Sequence, residues 1–156
     1  MKDESYPGLV EAIWLKRAKR GPMDAVEDAV AEVGFGLRGN ANRGGRRQIT
    51  IISRERWAEL MSSLGADLDP RTRRANLMVS GIELADTRDR QLRVGGVLLR
   101  INGETRPCER MEEAHDGLQA LMRERWGGGA FAEVIEGGVV RVGDTVSWHL
   151  PILDRT

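Results

Sequence analysis

The stretch Val97-Leu98-Leu99-Arg100-Ile101-Asn102-Gly103-Glu104-Thr105-Arg106-Pro107-Cys108-Glu109-Arg110 decides how the chain is read, because it changes from strand chemistry to helix chemistry within a few residues. Val97 to Ile101 is apolar and suits a pleated surface. After Cys108 the apolar residues Met111, Leu118, Leu121, Met122 and Trp126, with His115 among them, recur at spacings of three and four, which predicts a helical stripe from Cys108 to Trp126. Pro107 suits the approach to a helix. Cys108 is therefore expected where a strand turns into a helix, facing backbone N–H donors, with Arg106 two residues away. Both features favour thiolate over thiol, and thiolate is the nucleophile and metal ligand. A lone cysteine is commonly a small buried hydrophobe. Here the flanking charges Glu104, Arg106, Glu109 and Arg110 argue against deep burial.

Outward from this stretch the pattern is mostly short strands. Leu9 to Leu15 predicts a buried first strand, and Lys16 to Pro22 a basic turn. Met23 to Val33 has helical propensity, yet Val26, Val30 and Val33 also fit a strand pair with a bend. Gly34, Gly36, Gly39, Gly44 and Gly45 predict a loop through which no regular element runs. Gln48 to Ser53 predicts a strand, and Ser53 caps a helix from Arg54 to Leu64 that Gly65 stops. Further strands are expected at Arg74 to Gly81, Gln91 to Val94, Val97 to Asn102, Phe131 to Ile135, and Val139 to Leu150 broken at Gly143-Asp144. Many short strands, two helices and 19 glycines point to a mainly β fold with helices: one compact β-barrel domain over residues 1–156, helices packed outside. The four tryptophans are expected to fill the core, and His149 to pack within its strand.

With 24 basic and 24 acidic residues, net charge gives no global pull towards nucleic acid or membrane. Its distribution is uneven: from Val33 to Arg54 there is no acidic residue, but Arg38, Arg43, Arg46, Arg47 and Arg54 are present. That window seeks anions. One cysteine excludes an internal disulfide and an iron–sulfur cluster and fits a reducing cytoplasm. The charged N-terminus lacks the apolar stretch of a signal peptide, and no segment is long and apolar enough to span a bilayer.

Three blocks in order resemble the MOSC domain family, the module at the C-terminus of molybdenum cofactor sulfurases and in small free-standing bacterial proteins. Gly36-Leu37-Arg38-Gly39-Asn40-Ala41-Asn42 with Arg46 to Ser53 is similar to the family's glycine loop and following strand. Arg73-Arg74-Ala75-Asn76-Leu77 to Gly81 is similar to its arginine-x-asparagine strand. The third block runs from Val94-Gly95 through Arg106-Pro107-Cys108 to Gly128 to Val134 and Val142 to Val146. The resemblance implies that Met23 to Val33 is extended. It also implies a MOSC-type barrel and, at Cys108, a pterin-bound molybdenum cofactor or a sulfur atom in transit. Asn40 and Asn42 stand where many members carry aspartate and histidine, which removes a general base and an imidazole ligand from the loop but leaves hydrogen bonding intact.

Three functions follow as expectations. A molybdenum oxidoreductase would ligate the metal through Cys108, hold the cofactor with Arg38, Asn40, Arg46, Arg47, Arg74, Asn76 and Arg106, and reduce N-hydroxylated compounds with electrons from a separate reductase. Guanidinium groups pair bidentately with phosphate, which suits the cofactor's phosphate. A sulfur carrier would take a persulfide on Cys108 from a cysteine desulfurase partner, and pyridoxal phosphate would belong to that partner. A polyanion-binding module would use the loop from Arg38 to Arg47. It is disfavoured by the neutral net charge and by the scarcity of aromatic residues for stacking, with one Tyr and two Phe.

Overall fold

The computed structural model describes residues 8–150. Its core is a closed barrel of seven strands: β1 (Gly8–Lys16), β5 (Ile49–Ser53), β6 (Leu77–Ser80), β7 (Gln91–Val94), β8 (Val97–Glu104), β9 (Ala130–Glu136) and β11 (Thr145–His149). Around the barrel the order is β11, β7, β8, β9, β5, β6, β1 and back to β11. Every pair is antiparallel except β5 with β6. Closure leaves no edge exposed along most of the ring. The interior holds alternating inward residues, among them Val10, Ile51, Val79, Leu92, Leu99, Ile101 and Ala132, each at most 1 % exposed.

Met23 to Val33 is extended, as the resemblance implied and against its helical propensity. It forms β2 (Met23–Val26), paired with the second half of β1, and β3 (Asp28–Glu32), with the bend at Glu27. β3 joins β10 (Gly138–Arg141) and the two-residue β4 (Gly36–Leu37) in a small second sheet whose Ala29, Ala31, Leu37 and Val140 enter the barrel's buried cluster. A short strand therefore does run inside the glycine-rich loop. Gly36 there has φ 111, and a Cβ on it would crowd the Gln48 carbonyl.

α1 (Arg54–Leu64) has the expected bounds. Ser53 Oγ accepts from Arg56 N, and Gly65, in the left-handed region, closes the end with bonds to Met61 and Ser62. The stripe from Cys108 to Trp126 is not one helix. It breaks into α2 (Glu109–Ala114), α3 (Leu118–Met122) and a 3-10 turn, because His115 is extended and Gly117 has φ 86. The Glu112 carboxylate caps the restart by accepting from the N–H groups of Gly117 (3.0 Å) and Gln119 (3.3 Å). Met111, Leu118 and Met122 nonetheless pack together against Trp57, Leu60 and Met61 of α1. Trp126 instead reaches the barrel core, as does Trp148. His149 does not pack but lies exposed on β11, and His115 is half-buried.

Arg74 to Asn76 precedes β6 rather than belonging to it. Pro70–Arg73 forms a 3-10 turn capped by Asp69, and Arg74 ends it in the left-handed region at φ 62. Arg74 and Asn76 thus do not alternate along one strand. The backbone reversal sends Arg73 inward, at 8 % exposed.

Candidate anion cleft beside Cys108

Two adjoining cavities lie between the glycine-rich loop, the start of β5 and the turn before β6. One, about 40 Å³, is lined by Lys16, Asn40, Asn42, Arg47, Gln48, Thr50, Arg74 and Asn76. The other, about 20 Å³, adds Arg73, Ala75, Thr105 and Gly128, and shares Arg47, Thr50 and Arg74. Broader depressions of about 330–410 Å³ lie elsewhere on the surface and are open grooves. The small cleft is set apart by its chemistry, since cationic and amide groups converge there.

Its floor is an amide bracket. Asn76 accepts through Oδ1 from Thr50 N (3.1 Å) and Thr50 Oγ1 (3.3 Å), and donates through Nδ2 to Trp14 O (3.1 Å) and Asn40 Oδ1 (3.2 Å). Asn40 Oδ1 also accepts from Lys16 N (2.8 Å), and its Nδ2 donates to Asn42 O (3.0 Å). These two side chains tie β1, β5, the turn before β6 and the loop together. Gln48 does the same on the other side, donating to Gly45 O (2.8 Å) and accepting from Val134 N (2.9 Å). Buried amides this fully engaged position the loop.

The walls are cationic. Arg73 is anchored to backbone carbonyls, with Nε donating to Gly128 O (2.9 Å) and Nη2 to Thr105 O (3.3 Å) and Arg106 O (3.4 Å). Burial pushes its guanidinium below the usual arginine value, Arg47 pushes it further down, and the nearby Cys108 opposes both. Lys16 is likewise lowered, first by burial and then by Arg74, Arg47 and Arg110. Arg74 donates through Nη2 to Gly21 O (2.7 Å), and Arg47 lies 5.9 Å from the Phe131 ring centroid. Among the described residues, ion pairs run elsewhere, and none involves Lys16, Arg47, Arg73, Arg74 or Arg110. Like charges held together without carboxylates are costly unless an anion joins them.

Cys108 is free and exposed, and it is the N-cap residue of α2. Its side chain takes no cap hydrogen bond, and α2 has only six residues. Backbone N–H groups therefore do not hold the sulfur as the sequence suggested, and Arg73 of the cleft lies within electrostatic reach of it.

The sequence-predicted residues divide. Arg47, Arg74, Asn40 and Asn76 come together in the cleft. Arg38 pairs with Glu32 (3.2 Å) at the surface. Arg46 is exposed and contributes a carbonyl that accepts from Asn102 Nδ2 (2.8 Å). Arg106 offers its carbonyl to Arg73, while its side chain lines a separate depression with Glu104, Pro107 and Arg123. Lys16, Arg73 and Thr105 line the cleft, and Arg110 lies within electrostatic reach of Lys16, but none of them was singled out from the sequence. Thr105 carried no signal, because a register shift between Ile101 and Gly103 breaks the alternation along β8.

The molecule is thus a small closed β-barrel with a cationic cleft and an exposed free thiol. The chain belongs to the MOSC domain family, whose sequence model matches residues 35–147. Among solved structures it is similar to the YuaD protein from Bacillus subtilis, at 21 % identity and TM-score 0.74, covering 90 % of this chain and 94 % of that one. It is also similar to YiiM from Geobacillus stearothermophilus (15 %, TM-score 0.75, covering 92 % and 76 %) and YiiM from Escherichia coli (18 %, TM-score 0.68, covering 96 % and 71 %). No curated protein sequence matches it. Among the described residues no helix is long and apolar enough to cross a membrane, and no cluster of three His, Cys, Asp or Glu side chains could hold a metal ion.

Proposed function

We propose that this chain binds the pterin-bound molybdenum cofactor with which MOSC domains are generally associated, using Cys108 as the thiolate ligand of molybdenum and the arginine cleft as the seat of the cofactor's phosphate. One observation carries the reading: Lys16, Arg47, Arg73 and Arg74 converge without a carboxylate partner among the described residues, and an exposed thiol stands within the electrostatic reach of Arg73. The donor set fits the group. Soft thiolate suits a metal already bound by dithiolene sulfur, and forked guanidinium donors suit phosphate oxygens. The enclosed space fits only the phosphate end, so the rest of the cofactor would lie outside it, towards Cys108. When bound, the group would supply two-electron redox chemistry. The chain's residues would then orient it, neutralise its phosphate and fix the metal through one sulfur. Reduction of an N-hydroxylated compound, with electrons from a separate reductase, is the reaction we assign to it.

A second reading has its own support. Cys108 is exposed, so a cysteine desulfurase carrying pyridoxal phosphate could pass sulfur to it, leaving a persulfide anion beside Arg73. Elemental analysis and intact mass of protein from a molybdenum-replete host separate the two. Near-stoichiometric molybdenum supports the cofactor reading. A mass increment of one sulfur on Cys108 without molybdenum replaces it with the carrier.

A further inference from the structure

The turn that joins β3 to β4 carries an apolar tip that neither the core nor the cleft uses. Phe35 N donates to Glu32 O (3.1 Å), which closes a tight turn over Val33 and Gly34, and Gly34 holds φ 83 there. Val33 is 58 % exposed and Phe35 55 %. A Cβ on Gly34 would meet nothing within 4 Å beyond its chain neighbours, so the turn projects into open space. The second half of the glycine-rich loop lies against it: Gly44 N donates to Phe35 O (2.9 Å), and a Cβ on Gly44 would lie 3.8 Å from Gly34 O. Arg43 and Arg46, both exposed, are thereby carried to the flank of the tip. The turn's own carboxylate, Glu32, is paired with Arg38 (3.2 Å), whereas among the described residues no ion pair involves Arg43 or Arg46.

We infer that the tip Val33-Gly34-Phe35 enters the headgroup region of an anionic lipid bilayer, with Arg43 and Arg46 held against the negative surface. Charge complementarity names the occupant. The chain as a whole is neutral, but from Val33 to Arg54 it has no acidic residue, so the attraction is local to this loop. Each arginine near an anionic membrane is worth about five-fold in affinity, and an exposed aromatic ring and a branched aliphatic side chain gain by leaving water. A protein partner fits less well: a stable interface takes roughly 800 Å² from each side, and a convex turn of three residues supplies a small part of that. Membrane binding instead grows with whatever apolar area and basic charge reach the surface. The inference stands apart from the cofactor reading and needs neither Cys108 nor the cleft.

Co-sedimentation tests it, the probes being phosphatidylcholine vesicles with and without phosphatidylserine. Wild type should bind the phosphatidylserine vesicles at low salt, leave the pure phosphatidylcholine vesicles unbound, and be released as added salt shortens the electrostatic range. Phe35→Ser should weaken binding about ten-fold or more. Arg43→Gln combined with Arg46→Gln should weaken it about 25-fold, five-fold for each. Arg123→Gln, which discharges an exposed arginine at the end of α3, should leave it unchanged. Wild type that stays in the supernatant with anionic vesicles at low salt overturns the inference and gives the tip to a protein partner. Phe35→Ser binding as tightly as wild type, or a loss in Arg123→Gln equal to that of Arg43→Gln alone, overturns it as well, since binding would then be diffuse attraction. Should Phe35→Ser not fold, amide NMR of the wild type decides: adding short-chain anionic lipid must move the Gly34 and Gly44 signals while those of α1 stay, and unmoved tip signals reject the anchor.

Discussion

Asn76→Ala should destabilise the cofactor-free protein far more than a ligand-contacting side chain would. Asn76 is 5 % exposed, and its amide makes four hydrogen bonds, to Thr50 N, Thr50 Oγ1, Trp14 O and Asn40 Oδ1. Truncation strips the amide from a main-chain donor in β5 and a main-chain acceptor in β1, at roughly 1–3 kcal/mol for each group left unsatisfied. It also frees Asn40 and with it one tie of the glycine-rich loop. The combined loss is about 3 kcal/mol, a large share of the roughly 5–15 kcal/mol that a domain commonly has. With a urea slope of about 2 kcal/mol/M, the midpoint should fall by about 1.5 M with the slope unchanged. Urea denaturation followed by tryptophan fluorescence measures this. A midpoint shift under about 0.3 M would refute the bracket and return Asn76 to a purely ligand-contacting role.

The remaining predictions concern the cleft's charge and shape. Lys16 has a lowered folded value, so between that value and the ordinary lysine one the unfolded chain holds a proton the folded chain has shed. Stability contributed by Lys16 therefore rises with pH through that window, and Lys16→Met should flatten the rise when both proteins are melted across alkaline pH. Added phosphate should stabilise wild type more than Lys16→Met, which thermal melts at fixed pH can read. Gly128→Ala should cost about 1–3 kcal/mol by overpacking against the Thr105 carbonyl and should also weaken phosphate binding, measurable by denaturation and calorimetry.

Much of the barrel was legible because its strands are short and bounded by glycines. β7 and α1 fall where pattern and caps put them, since Ser53 and Gly65 are unambiguous stops. Met23 to Val33 was not legible from propensity, because pairing with β1 and β10 outweighs it; only the family resemblance gave it. The break at His115-Asp116-Gly117 was hidden because Met111, Leu118 and Met122 keep helical spacing across a gap that Glu112 caps by reaching forward. In the cleft, Arg47 and Arg74 were legible as residues that come together, and the exposure of Cys108 followed from its charged neighbours. Arg73 was missed because the strand expected at Arg74 to Gly81 hides a 3-10 turn. A left-handed Arg74 exchanges which of two adjacent arginines faces inward. Lys16 and Arg110 are far apart in sequence from the other cations, so only the closed barrel assembles them.

The most direct measurement is X-ray absorption at the molybdenum edge of the purified protein, alongside its Cys108→Ser variant. Our account predicts bound molybdenum in the wild type with one sulfur neighbour more than in Cys108→Ser, whose fold stays intact because the side chain is exposed and makes no cap hydrogen bond. Equal sulfur coordination and equal metal occupancy in the two proteins would contradict it.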